Sequence, residues 1–171
     1  MYVSFEVNPD LDERLSGQLL TIWTDVSNAG GSVGFVPPVT EDDVRPMADL
    51  AFGKVRSGEH RILVAYRAED PVGFLFLEQR PGPLFKHFAI VKRLQVHPSL
   101  QGRGIGGALL GAAEETARGL GLEQLHLTVR GETGTERFYE ARGYELKARI
   151  PGIIRVGRGE YRDELYLILR L

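Results

Sequence analysis

One stretch limits what this chain can fold into more than any other: an apolar run, a glycine-dense loop and an amphipathic run that follow one another without interruption. Between Phe88 and Val96 only Lys92, Arg93 and Gln95 are polar, and the aromatic and β-branched content predicts a strand buried on both faces. Pro98 ends it, because proline has no N–H to give to a ladder. Beyond the loop, Ile105, Ala108, Leu109, Ala112, Ala113, Thr116, Ala117 and Leu120 recur at three- and four-residue steps, one stripe of an amphipathic helix. Gly119 and Gly121 mark its end.

The loop itself, Gln101, Gly102, Arg103, Gly104, Ile105, Gly106 and Gly107, sets four glycines at a helix N-terminus. There the first N–H groups lack intrahelical partners and the positive end of the helix dipole faces outward, so the terminus suits phosphate. Glycine adopts the positive φ that turns successive N–H groups inward, and without a Cβ it lets phosphate oxygens reach the backbone. Arg103 adds a permanent charge. A Walker loop is excluded, since no Gly-Lys-Ser/Thr follows. Gly102, Gly104 and Gly107 satisfy G-x-G-x-x-G, the dinucleotide fingerprint of the Rossmann fold, yet that fold places its first glycine directly after the strand and an acid at the end of the next one. Here five residues separate Val96 from Gly102, and Glu123 opens the next strand instead of closing it. A mobile loop without a ligand is the remaining alternative.

The run from Leu94 to Gly106 resembles the acetyl-CoA signature of the GNAT superfamily of N-acetyltransferases, Gln/Arg-x-x-Gly-x-Gly/Ala, which Gln101, Gly104 and Gly106 fill. A preceding strand, Val96 with Pro98 behind it, and the Leu109-Leu110 pair in the following helix agree with that signature. The rest of the chain gives the order of elements. Residues 1–7 alternate as a short strand; Asp10 or Asp12 can cap a helix carrying Leu11, Leu15, Leu19, Ile22, Trp23 and Val26. Residues 40–43 form a capping-box-like start to a second helix with Val44, Met47, Leu50, Ala51 and Val55 on its face. Strands are expected at 60–67 and 72–80, at 123–130, at 144–150 and at 163–171, a short helix at 134–142, and a loop with some extended structure at 151–161. The resulting order, β-α-α-β-β-β-α-β-α-β-β, matches the family along nearly the whole chain. The resemblance therefore implies an α+β (α/β/α-type) fold: a mixed, mostly antiparallel sheet of about seven strands flanked by about four helices, as one domain over residues 1–171.

The resemblance also implies where the chemistry sits. In the family the fourth and fifth strands splay apart, and the pantetheine arm of acetyl-CoA bonds to the backbone of the fourth; by position those groups are on Leu94, Gln95 and Val96. Residues 101–107 would hold the phosphates. The family carries a tyrosine within a Phe/Leu-Tyr-Glu-x-x-Gly-Phe/Tyr motif, read here from Phe138 to Tyr144, so Tyr139 is the candidate acid for the departing thiolate. A phenol with an ordinary pKa near ~10 is protonated at neutral pH and can donate. Two departures stand out. Where the family often has an Asn and an Ala ahead of this tyrosine, the chain has Glu132 and Thr135, and no general base is visible. Strict alternation puts Ile90 and Lys92 on the face of Leu94 and Val96, and neither accepts a proton well. Glu78, His87 and His126 qualify by residue type alone.

Acetyl transfer to a primary amine by direct attack in a ternary complex is the leading expectation, with no covalent intermediate because the chain has no cysteine nucleophile. A non-catalytic acyl-CoA-binding module is the alternative. For the acceptor, the loop between the first two helices contributes Phe35 and Val36, with Trp23 and Asp25 nearby. Residues 1–59 hold ten acids against four bases, which leans toward a cationic amine. A chain with no evident peptide-binding extension favours a small molecule over a protein amine. A net charge of −2 argues against a nucleic-acid partner. No apolar run approaches the ~20 residues of a membrane span and no signal-peptide pattern opens the chain, so a cytoplasmic protein is expected. The four histidines lack metal-ligand spacing, and no metal is expected. Monomer and homodimer are both compatible with the apolar last strand.

Overall fold

The computed structural model describes residues 2–171. Along the chain run β1 (Ser4–Val7), α1 (Glu13–Asn28), α2 (Glu41–Arg56), β2 (His60–Arg67), β3 (Asp70–Glu78), β4 (Phe88–Val96), α3 (Ile105–Gly119), β5 (Gln124–Arg130), α4 (Glu136–Glu140), β6 (Glu145–Gly157) and β7 (Glu160–Arg170). The seven strands make one sheet in the order β1-β2-β3-β4-β5-β7-β6. Every neighbouring pair is antiparallel except β4 and β5, which are parallel.

Local chemistry explains the element starts. The Asp12 carboxylate accepts from the Leu15 N–H at 2.7 Å and caps α1. Thr40 and Asp43 form a reciprocal capping box on α2, the Thr40 hydroxyl accepting from the Asp43 N–H and the Asp43 carboxylate from the Thr40 N–H. The two faces of the sheet each carry a core. Against α1 and α2 pack Leu19, Trp23, Val44 and Phe52 with Ile62, Val64, Phe74 and Phe76 from the sheet. Against α3 pack Leu109, Leu110, Ala113 and Ala117 with Leu63, Leu75, Val91 and Leu127. Each fully buried Leu or Phe contributes about 1.5–3 kcal/mol of transfer free energy relative to exposure, so this double core clamps the sheet from both faces.

Four expectations are corrected. The first strand begins at Ser4; of residues 1–3, Met1 lies outside the described residues. On α2 the buried positions are Val44, Ala48, Phe52 and Val55, whereas Leu50 is 65% exposed, because the four-residue steps from Val44 miss it. On α3, Leu110 is buried and Ala108 exposed. Most of residues 151–161 is strand: β6 and β7 form a long hairpin that turns at Arg158 and Gly159. Pro151 is tolerated because β6 is the edge strand and the ladder is interrupted between Ile150 and Ile154. The Asp163 carboxylate accepts from the Gly152 N–H there at 3.0 Å.

Two irregularities of β4 create the site. Its parallel pairing with β5 covers only Phe88, Ala89 and Ile90 against Gln124, Leu125 and His126; beyond them no ladder joins the two strands, although both continue. In addition, the step from Phe74 to Phe76 on β3 faces the step from Gln95 to Lys92 on β4, so one extra residue is inserted at Arg93, whose φ is +52°. This β-bulge reverses the alternation.

Candidate active site

Where β4 and β5 part, a cleft of about 570 Å³ opens between the sheet, the start of α3 and α4. Its walls include Leu94, Gln95 and Val96 from β4, Leu127, Thr128 and Val129 from β5, the glycine loop, and Phe138 and Tyr139. Backbone groups of a strand that has lost its neighbour must bond to something else. The cleft therefore offers a strip of strand-like donors and acceptors to an extended ligand.

The bulge corrects the assignment of faces. Leu94 and Val96 pack with Val91 in the α3-side core, whereas Ile90 and Lys92 lie opposite Glu78 and Phe76 on the other side of the sheet. Arg93 also turns to the α1–α2 side. Its guanidinium lies 5.1 Å from the Trp23 ring, with Nη2 3.3 Å from the Met47 sulfur and Nη1 3.9 Å from a Glu78 oxygen. Gln95 is 3% exposed, and neither atom of its side-chain amide has a protein partner.

The loop leaves its backbone N–H groups open. Gly102 and Gly104 hold φ of +72° and +83°, a region costing other residues about 1–2 kcal/mol, and a Cβ on either would meet nothing within 4 Å. Gly104 caps α3 with no side-chain bond, so the N–H groups of Ile105, Gly106 and Gly107 begin the helix without intrahelical partners. Gln101 does a different job: its Nε2 donates to the Val96 carbonyl at 2.9 Å and ties the loop to the end of β4. Gly107 is small for another reason, since a Cβ there would lie 2.9 Å from the Arg142 guanidinium, which donates to the Gly107 carbonyl. Arg103 is exposed and is not part of the cleft wall.

Tyr139 projects from α4 and lines the cleft, although only 8% of it is exposed. Its ring packs edge-on against Phe138 and Tyr144. Burial raises its pKa to about 12, so the hydroxyl keeps its proton throughout the neutral range. Behind it the Tyr144 hydroxyl is buried without a partner, and its pKa is raised further by burial, by Glu114 and by Tyr139.

The three candidate bases stand away from the cleft. Glu78 faces Arg93. His87 and His126 lie at the end of β4 and β5 that is still paired, where His126 stacks on Phe88 with centroids 4.0 Å apart. His126 sits between the Tyr166 hydroxyl and Gln124, and burial followed by the neighbouring His87 lowers its pKa. Among the described residues no group of three His, Asp or Glu side chains gathers as a metal site, and no helix is long and apolar enough to cross a membrane.

A second cavity of about 210 Å³ adjoins the first, sharing Ser32, Thr128 and Val129 as a common wall. Phe35 and Val36 line it. Trp23 and Asp25 line neither cavity. Trp23 is fully buried, its Nε1 donating to the Val33 carbonyl at 2.9 Å, so it supports the loop from beneath; Asp25 lies 3.5 Å from His97. The charged walls of the second cavity, Arg130, Arg155 and Glu164, escaped the sequence reading, Arg155 because its strand was read as a loop.

Residues 58–146 match a family model described as an acetyltransferase (GNAT) domain. Solved structures with a similar fold include a ribosomal-protein-alanine N-acetyltransferase from Brucella melitensis, 21% identical over all of both chains with a TM-score of 0.76. An acetyltransferase of the GNAT family from Streptococcus pneumoniae is 15% identical over 98% of this chain and 100% of its own, with a TM-score of 0.75. The yncA protein of Salmonella typhimurium, solved with its cofactor acetyl-CoA, is 18% identical over 99% and 94%, also with a TM-score of 0.75.

Proposed function

The chain belongs to the GNAT acetyltransferases, whose co-substrate is acetyl-CoA, and we propose that as a single domain it transfers the acetyl group to the primary amine of a small molecule, by direct attack with both substrates bound. The observation that carries the small-molecule reading is the second cavity: it meets the cleft at Ser32, Thr128 and Val129, and its volume of about 210 Å³ is below the ~300 Å³ at which sites for drug-sized ligands begin.

The thioester supplies an activated acetyl group, and the chain's own residues do the rest. N–H groups from Gly102 to Gly107 cradle the phosphates, aided by the α3 dipole. The edge of β4 that β5 leaves at Leu94, Gln95 and Val96, apart from the Val96 carbonyl that Gln101 holds, aligns the pantetheine arm and supplies a donor to the carbonyl oxygen as negative charge develops on it. Arg103 pairs with phosphate from outside the cleft wall. Tyr139 donates its proton to the departing sulfur, while the attacking nitrogen gives up its proton to water, from which the phenolate is reprotonated. A phenol at about 12 gives a proton reluctantly to a thiolate whose ordinary pKa is ~8.5, but the sulfur leaves inside the same apolar cleft, where burial raises the thiol as well and narrows the gap.

Because the chain has no cysteine, free thiol released during turnover reports CoA alone. Acetyl-CoA with small primary amines is expected to release thiol faster than acetyl-CoA with peptides bearing free N-termini; the reverse order makes a protein amine the acceptor. Tyr139→Phe is expected to lower kcat by about 10²–10⁴ while acetyl-CoA affinity is kept. An unchanged kcat removes Tyr139 from the acid role.

A further inference from the structure

The second cavity is not lined for a cation. Arg130 and Arg155 both face it, against one carboxylate, Glu164. Each arginine uses a single donor on a protein carbonyl: Arg130 Nη2 lies 3.4 Å from the Phe35 oxygen, and Arg155 Nε lies 3.3 Å from the Gly157 oxygen. A guanidinium has five N–H donors in a planar fork matched to a carboxylate. Among the described residues neither arginine forms an ion pair. The contrast with the same hairpin is informative, since Arg149 pairs with Asp163 at 2.9 Å and Arg162 with Glu132 at 3.1 Å. Among the described residues the hairpin's other arginines, Arg155, Arg158 and Arg170, form no ion pair, and of those three only Arg155 lines the cavity. Glu164 stands opposite Arg130 in the β5–β7 register, yet it pairs with neither cavity arginine. Asp25, the acid that would favour a cationic acceptor, is beside His97 and lines neither cavity.

We infer that the acceptor is a small amino acid, whose carboxylate is held by Arg130 and Arg155 while its amine is presented at the Thr128–Val129 wall toward the cleft. Glu164 faces the ammonium form on its way in. The inference rests on the acetyltransferase reading above and adds the chemical class of the acceptor. Arg130 follows Thr128 by two residues on β5, about 6.6 Å along the strand, so an amine at the shared wall and a carboxylate within reach of a long guanidinium belong to one short molecule.

The test uses matched pairs that differ in the carboxylate: glycine and methylamine, β-alanine and ethylamine, phenylalanine and phenethylamine. Thiol release is followed with the wild-type chain, Arg155→Gln and Arg130→Gln, and thermal shift with acetyl-CoA is measured on each. The expected result is a kcat/KM at least about tenfold higher for the carboxylate-bearing member of one or more pairs, with that preference falling toward one in Arg155→Gln. Arg155 is exposed, so its replacement leaves the fold intact; a normal acetyl-CoA shift verifies this for Arg130→Gln. Equal or faster turnover of the plain amines overturns the inference and leaves acetyl transfer standing. A preference that survives both arginine variants overturns it too, as does an acetyl-CoA shift with no transfer to either member of any pair. No acetyl-CoA shift and no thiol release with any amine overturns the acetyltransferase reading beneath it.

Discussion

Gly104 and Gly106 are two residues apart, yet substituting alanine for each should act in opposite directions. Gly104 has φ +83°, and its added Cβ would touch nothing within 4 Å, so the cost of Gly104→Ala is conformational alone, about 1–2 kcal/mol. For a chain of this size each kcal/mol moves the midpoint by about 2–4 °C, which gives a fall of about 2–8 °C. Gly106 lies inside the first turn of α3, and its Cβ would sit 3.7 Å from a Val96 methyl, an ordinary contact. Alanine there gains up to about 1 kcal/mol of helix propensity, a rise of up to about 4 °C. Acetyl-CoA titrations then separate shape from binding. Gly104→Ala should weaken binding by at least about tenfold, because relaxing φ turns N–H groups out of the cradle, whereas Gly106→Ala should bind nearly as well, as the Gly/Ala tolerance of the signature implies. If Gly104→Ala loses stability but keeps its affinity, the glycine serves the turn only and the phosphate cradle is refuted.

Two further outcomes test the surroundings. A Cβ on Gly73 would lie 2.6 Å from the Gln95 carbonyl oxygen, a backbone atom that can move only with β4, so Gly73→Ala should cost about 1–3 kcal/mol in urea unfolding and weaken acetyl-CoA binding by displacing the bulge. The pKa of His126 is lowered in the fold by burial first and His87 second; the folded state therefore binds fewer protons than the unfolded one, and stability is lost as pH falls from about 6.5 through the folded value. Thermal midpoints at pH 8 and pH 5 should differ less in His126→Gln than in the wild type, and an equal or larger difference contradicts the assignment.

How much could be read from residues alone follows from which physical signals are local. The bounds of β4, the glycine turn and the capping box were legible because apolar runs, helix caps and positive-φ positions are written in adjacent residues. Strands at 144–150 and 163–171 were legible, but their continuation to the tip of the β6–β7 hairpin was hidden by Pro151, which forbids a central strand but not an edge strand with an interrupted ladder, and edge position is a property of the whole sheet. Arg155 was lost with it. Trp23 read as a candidate aromatic wall because nothing in its neighbours reveals that Phe35, Phe74 and Phe76 surround it.

The bulge at Arg93 joins these threads. A regular β4 would carry Ile90, Lys92, Leu94 and Val96 on one face, and an ionisable Lys92 would then share the α3 side with the apolar groups beside the cleft. The inserted residue instead keeps Leu94 and Val96 on the apolar α3 side, sends Lys92 and Arg93 to the other, and bends the strand just beyond the last residue that pairs with β5. The supports for that bend are specific: Trp23 and Met47 against the Arg93 guanidinium, a glycine at position 73 that lets the two backbones approach, and Gln101 tying the carbonyl of Val96 to the glycine loop. A mutation that straightens β4 would therefore be expected to cost cofactor alignment before it costs the fold, because most residues of the two cores lie on elements other than β4.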